Sequence, residues 1–268
     1  MDLNKVLFVS QEMAPYVATG EFGEFARELP QAIHGSKTEV RTFVPRYGII
    51  NERRNQLHEV IRLSGLNIEI DDADHPLIIK VATLLPSRMQ VYFIDSDDYF
   101  DRHQADGLET VLFPEENDER AIFFARGVLE TVKKLRWPPS VIHCLGWISM
   151  LTPMYLRTKF TDDPTLSNAK VVVSLTSDAF DGSLDARMAE KLTMDGFSAE
   201  QFKSLLTDGA THDALMRLGI DFADGSVIGD EEVSPALIEY ARQSGKPLLE
   251  YPGKENFADA YREFYLSL

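Results

Sequence analysis

Cysteine is nearly absent from this sequence. Cys144 is the only one in 268 residues, so no disulfide can close within the chain, which fits a reducing compartment. Cations are scarce as well: 27 Lys and Arg stand against 43 Asp and Glu, a net charge of −16. A chain of this sign repels phosphate backbones and anionic membrane surfaces unless a local basic patch offsets it, and no such patch stands out along the sequence. Nucleic acid and membrane are therefore not expected as partners. Long apolar runs are also missing. The first, Val6 to Val9, is far short of a signal-peptide core or of the roughly 20 apolar residues of a membrane span, so a cytoplasmic location is the expectation. Linker-like Gly/Ser/Pro stretches and internal repeats are lacking too, which leaves one domain over 1–268. What is present is ordinary: 44% hydrophobic and 10% aromatic residues suffice for a packed core.

The organisation is legible in the hydrophobic pattern. Val6-Leu7-Phe8-Val9 has the look of a strand buried on both faces of a parallel sheet. After a turn region from Gln11 to Gly20, apolar Phe25, Ala26, Leu29, Ala32 and Ile33 recur at helical spacing from about Glu24 to His34, with Gly35 placed to end the helix. A strand over Glu39 to Val44 completes a βαβ unit. Around 57–90 the texture changes to β-rich runs separated by Asp71-Asp72-Ala73-Asp74 and Pro86-Ser87, a hairpin insertion leading into a strand at Val91 to Ile94. A helix begins near Asn117, and strand Val141 to Cys144, helix Ile148 to Phe160 and strand Val171 to Leu175 continue the alternation. Residues 183–223 read as mostly helical, followed by a strand at Gly225 to Ile228, a helix at Pro235 to Arg242, a strand at Pro247 to Tyr251 and a terminal helix at 257–268. The fold class is α/β: a Rossmann-like, doubly wound, mostly parallel sheet with helices on both faces. In such sheets ligands bind beyond the carboxyl ends of the strands, which singles out the segments after Val9, Ile142 and Leu175.

Several strings of the sequence together resemble the N-terminal catalytic, glucan-binding domain of bacterial glycogen and starch synthases. They include Lys5-Val6-Leu7-Phe8-Val9-Ser10-Gln11-Glu12-Met13-Ala14-Pro15-Tyr16 with Thr19-Gly20, Pro45-Arg46-Tyr47-Gly48, Glu116-Asn117-Asp118-Glu119-Arg120, Trp137-Pro138-Pro139, Ile142-His143-Cys144 with Trp147, and Leu218-Gly219-Ile220. The resemblance runs along essentially all of the chain. It implies one half of a GT-B glycosyltransferase, whose members transfer glucose from ADP-glucose or UDP-glucose to an α-1,4-glucan with retention. The implied first half mainly holds the glucan, and the segment 257–268, with Tyr261 and Tyr265, resembles the helix that crosses back onto it.

At the motif positions that the resemblance points to, the chemistry is altered. The family's Lys-Thr-Gly-Gly-Leu aligns with Ala18, Thr19, Gly20, Glu21 and Phe22, so a cation is lost and an anion gained beside the expected diphosphate. At about 4 Å and an effective dielectric near 20, one like-charge contact costs on the order of 4 kcal/mol, more than the roughly 1 kcal/mol of a helix terminus. The family's His-x-His-Asp-Trp reads His143-Cys144-Leu145-Gly146-Trp147, which keeps the first and last residues but loses the polar pair. His143 then reads either as a hydrogen-bonded strand-end residue or as a base, and Trp147 as core or as a platform that stacks on a glucan. The third motif, Ile-His-Asn-Leu-Ala-Tyr-Gln-Gly, is replaced by Leu175-Thr176-Ser177-Asp178-Ala179-Phe180-Asp181-Gly182.

Thr19, Gly20, His143, Trp147, Thr176 and Ser177 are the candidate substrate-binding residues, with no catalytic residue, metal ligand or cofactor assigned. The pairs Glu231/Glu239 and Glu255/Glu263 match a glutamate spacing of the retaining family, but 21 glutamates in 268 positions produce about as many by chance. Asp95, Asp97, Asp98, Asp101 and His103 read as a solvated acidic loop, Asp178, Asp181 and Asp185 as a weak cation candidate, His212-Asp213 as a helix cap, and Cys144 as a buried thiol. The expected function is a glycogen/starch synthase-like domain, not catalytic alone, that binds an α-glucan or a protein partner, with a nucleotide sugar not expected. Two alternatives stay open: a glucosyltransferase completed by a donor-binding domain from another chain, and a repurposed enzyme built on the Asp178 loop.

Overall fold

A computed structural model describes residues 3–17, 20–35, 37–101, 115–255 and 257–268. These residues form ten strands: β1 (Lys5–Ser10), β2 (Glu39–Pro45), β3 (His58–Glu59), β4 (Leu66–Ile70), β5 (Ala73–Leu84), β6 (Met89–Asp95), β7 (Val141–Leu145), β8 (Lys170–Leu175), β9 (Gly225–Ile228) and β10 (Leu248–Leu249). Their order in the sheet is β10-β9-β8-β7-β1-β2-β6-β5-β3, with β4 hairpinned onto β5. From β10 to β6 all neighbours run parallel, while β5 returns antiparallel beside β6 and carries β3 and β4. The parallel part matches the continuous apolar runs: Val6, Leu7, Phe8 and Val9 of β1 are all fully buried, as a strand covered on both faces requires. The β4–β5 turn is a two-residue loop in which Asp71 and Asp72 both take positive φ, 50° and 61°, the conformation that matches strand twist.

Among the described residues eight α-helices cover the sheet: α1 (Glu21–Ile33), α2 (Asn117–Leu135), α3 (Leu151–Lys159), α4 (Met188–Met194), α5 (Lys203–Asp208), α6 (His212–Phe222), α7 (Pro235–Gln243) and α8 (Phe257–Ser267). Right-handed crossovers to the two sides of β1 put helices on opposite faces. Thus α2, α3, α6 and α7 pack side by side in one layer, and α1 packs with α8 in the other. In that second layer Phe25 of α1 meets Phe257 and Tyr261 of α8 at ring distances of 6.2 and 6.3 Å, while Tyr261 and Tyr265 are fully buried against the sheet.

Some expectations shift. Helix α1 begins at Glu21 rather than near Glu24, the helix expected over 148–160 is a 3-10 turn at Trp147–Ser149 followed by α3, and β10 has only two residues. Asp95 is not part of a solvated loop. It closes β6 with its side chain fully buried, and Arg46 at 3.0 Å and Lys80 at 2.9 Å neutralise it. The cap of α6 is Thr211, which accepts from the Ala214 N–H; His212 is already inside the helix.

Candidate functional site

The chain leaves β1 toward β2 on one side and later returns to β7 on the other, so the topological switch lies between β1 and β7. The crevice above it is built by the residues that follow these two strands. Gln11 extends the pairing, its N–H donating to Leu145 O at 2.9 Å, and its carbonyl accepts from the Tyr47 hydroxyl at 3.1 Å. Its side-chain Oε1 accepts from the Trp147 N–H at 3.1 Å. Gln11 therefore bridges both sides of the switch.

Gly146 sits under that bridge with φ 79° and ψ 158°, a conformation that essentially only glycine adopts. A Cβ built there would lie 2.6 Å from Gln11 Cβ, 2.7 Å from Gln11 Oε1 and 3.0 Å from Phe22 Cζ. The space that a side chain at this position would occupy is thus held by Gln11 from the β1 loop and Phe22 from the first turn of α1. Beside it, Gly23 faces the buried Glu12, since a Cβ on Gly23 would fall 2.9 Å from Glu12 Oε1.

The candidate residues separate into rim and floor. Gly20 is exposed at the start of α1, and Ser177 is exposed after β8, where its N–H and hydroxyl donate to Asp230 Oδ2 at 2.8 and 3.1 Å. Thr176 is buried beside it and donates to Asp178. Burial pushes the Asp178 carboxyl up to about 6, with the Thr176 hydroxyl pulling the other way and the charges of Glu12 and Asp230 adding to the rise. Trp147 is 4% exposed, with Phe180 set edge-on against it at 5.1 Å.

His143 is fully buried beneath α8: Nδ1 is 2.6 Å from the Tyr265 hydroxyl and Nε2 is 2.8 Å from the Ser174 hydroxyl. Burial pulls its pKa down to about 3, so the ring is neutral and bridges the two hydroxyls. Thr19, like Ala18 and His103, lies outside the described residues. Burial pushes the Cys144 thiol up, which leaves it un-ionised. Asp185 accepts from the Arg187 N–H at 2.8 Å, and among the described residues no group of three His, Cys, Asp or Glu side chains is placed to hold a metal ion.

The charge at Glu21 is milder than one-dimensional reasoning implies. Lys254, from the segment before α8, pairs with it at 3.0 Å, and the two side chains are 77% and 90% exposed. Water and salt screen an exposed pair, so the like-charge penalty shrinks to the scale of a surface interaction. The filled space around Gly146, more than the sign of the charge, distinguishes this crevice. Gln11, Phe22 and Asp230 were not singled out as site residues from the sequence. A glycine standing where a resembling family carries a polar side chain was the signal that something else fills the space.

A doubly wound, mostly parallel sheet with its crevice at this switch point defines a Rossmann-type domain. The family described as starch synthase catalytic domain matches residues 5–235, and the chain belongs to that family. A glycogen synthase of Chlorobium luteolum is 34% identical over 224 residues, covering 82% of this chain and 44% of that protein. One from Pelodictyon phaeoclathratiforme is 31% identical over 259 residues, covering 93% and 51%. The chain spans about half the length of the curated relatives it matches. In structure it is similar to the catalytic domain of starch synthase IV from Arabidopsis thaliana bound to ADP and acarbose, with a TM-score of 0.71 at 18% identity, over 92% of this chain and 50% of that one. No helix among the described residues is long and apolar enough to cross a membrane.

Proposed function

We propose that this domain binds an α-glucan and does not transfer glucose through the crevice between β1 and β7. One observation carries the reading: the position after Leu145 has neither a polar side chain nor room for one, because Gln11 and Phe22 occupy it. A transferase must place hydrogen-bonding groups against the sugar at the point where charge develops, and Leu145 and Gly146 offer no side-chain donor or acceptor for that task. Trp147, closed by Phe180, and His143, closed by Tyr265 and Ser174, act in this reading as supports beneath the crevice. Glucan binding is supported by family membership and by the rim. There Gly20 exposes backbone, and Ser177 with Asp230 offers a hydroxyl and a carboxylate suited to sugar hydroxyls, with Thr176 holding the floor.

Calorimetric titration with maltoheptaose tests the reading. The expected result is saturable heat with a dissociation constant on the order of 1 mM, about −4 kcal/mol, and no label carried from ADP-glucose to glycogen in a parallel incubation. Silence at roughly ten times that concentration would remove the glucan and leave a protein-docking domain. Incorporated label would restore the transferase.

A further inference from the structure

No basic run appears in the sequence, yet the fold assembles a basic pole at the end of the sheet opposite the crevice, where β1 and β2 begin and α2 ends. Arg41 lays its guanidinium over the Trp137 ring at 4.6 Å, and Lys5 stands 5.8 Å from the same ring. Trp137 is 4% exposed, so it acts as a buried platform that fixes two cations rather than as a contact surface itself. Lys134 reaches the carbonyls of Leu63 and Ser64 at 3.3 and 3.4 Å, which brings it beside Arg62. Burial raises the Tyr92 hydroxyl pKa while the charges of Arg41, 5.7 Å from the ring, and of Arg62 pull it back, so both cations face this side chain. Arg136 follows α2 in a left-handed conformation, φ 51°, immediately before Trp137.

Arg62, Lys134 and Arg136 are exposed, and among the described residues no carboxylate pairs with them or with Lys5 within 4.0 Å. Glu39 is taken by Arg41 at 3.0 Å. Lys191 is neutralised by Asp118 and Glu119, and Arg187 by Asp71 and Glu190; Arg53, Arg54 and Lys203 are exposed without a bridging carboxylate among the described residues, but no aromatic platform gathers them with other cations. Complementing the negative end of α2 accounts for Lys134 and Arg136, but not for Lys5, Arg41 and Arg62, which come from β1, β2 and the turn after β3.

We infer that this pole docks a short acidic segment of a partner protein. Guanidinium forks match carboxylates in geometry, and cations already stacked on an aromatic ring lose little side-chain freedom when they bind. A compact carboxylate cluster stays within about one Debye length of the patch, roughly 8–10 Å. A long polyanion such as nucleic acid, or an extended anionic bilayer, instead runs out over the rest of a chain that carries −16.

The test uses a fluorescent peptide of alternating glutamate and glycine, about six residues long so as to span that reach on either side of the patch centre, and fluorescence anisotropy on the full chain. Binding is expected at low salt and is expected to weaken steeply as salt rises. The triple change Arg62→Glu, Lys134→Glu and Arg136→Glu is expected to weaken it by about tenfold or more. The equal-charge change Arg53→Glu, Arg54→Glu and Lys203→Glu, at exposed positions elsewhere, is expected to leave the patch-specific loss absent. Unchanged far-UV circular dichroism separates docking from folding in both variants. Equal loss in the two triples, no binding at low salt, or tighter binding of a single-stranded oligonucleotide or of phosphatidylserine vesicles than of the peptide would overturn the inference.

Discussion

Replacing Gly146 by aspartate, which restores the side chain the family motif carries at this position, is expected to destabilise the fold by roughly 3–5 kcal/mol. Two effects add. A φ of 79° with ψ 158° costs a residue bearing a Cβ about 1–3 kcal/mol. The overlap with Gln11 Cβ at 2.6 Å cannot be relieved by rotating a side chain, since that atom is fixed to the backbone. The urea midpoint should fall with an unchanged slope. Pairing Gly146→Asp with Gln11→Gly should recover the steric part and leave the conformational part, so the double-mutant cycle separates the two. A loss below about 1 kcal/mol in the single variant would mean that the crevice has room after all.

Acid stability should report His143. In the folded chain its pKa is held near 3 by burial, whereas an unfolded histidine titrates near 6.5. Between those two values the unfolded chain binds a proton that the folded chain refuses. The stabilising contribution is therefore complete above pH 6.5 and drains away as pH falls through this window, by about 1.4 kcal/mol per unit at most. Carboxylates titrate in the same range, so the informative quantity is the difference from His143→Gln. That variant should lose less stability than the parent between pH 6.5 and 4.5, by roughly 2 kcal/mol. Parallel pH profiles would show that the ring is already protonated or open to solvent.

Elements whose signal is local were legible in the sequence. The uninterrupted apolar run of β1 and the long buried face of α2 announced themselves, as did the turn chemistry of Asp71-Asp72. The start of α1 was missed because Gly20 and Gly23 read as a continuing turn, although Phe22, three, four and seven residues before Phe25, Ala26 and Leu29, and the acids of the first turn were available cues. What stayed hidden is long-range. Asp95 looks like one of several loop acids until β2 and β5 bring Arg46 and Lys80 to it. The bond from the Trp147 N–H to Gln11 spans 136 positions, that between Ser177 and Asp230 spans 53, and that between His143 and Tyr265 spans 122. Lys254 reaches Glu21 across 233 residues, which is why a charge argument built on α1 alone overstated the repulsion. The basic pole has the same origin: its members are scattered in the sequence and meet only because α2 ends beside the starts of β1 and β2 and beside the turn after β3.

The central claim is that the crevice between β1 and β7 is occupied by the protein's own side chains and holds no sugar nucleotide. Two-dimensional amide NMR of the labelled chain during an ADP-glucose titration addresses it directly, because Gln11, Gly146 and Trp147 each report from inside the crevice. The account predicts that these resonances stay in place at millimolar ADP-glucose. Saturable shifts centred on them would show that the crevice opens to the donor and would contradict it.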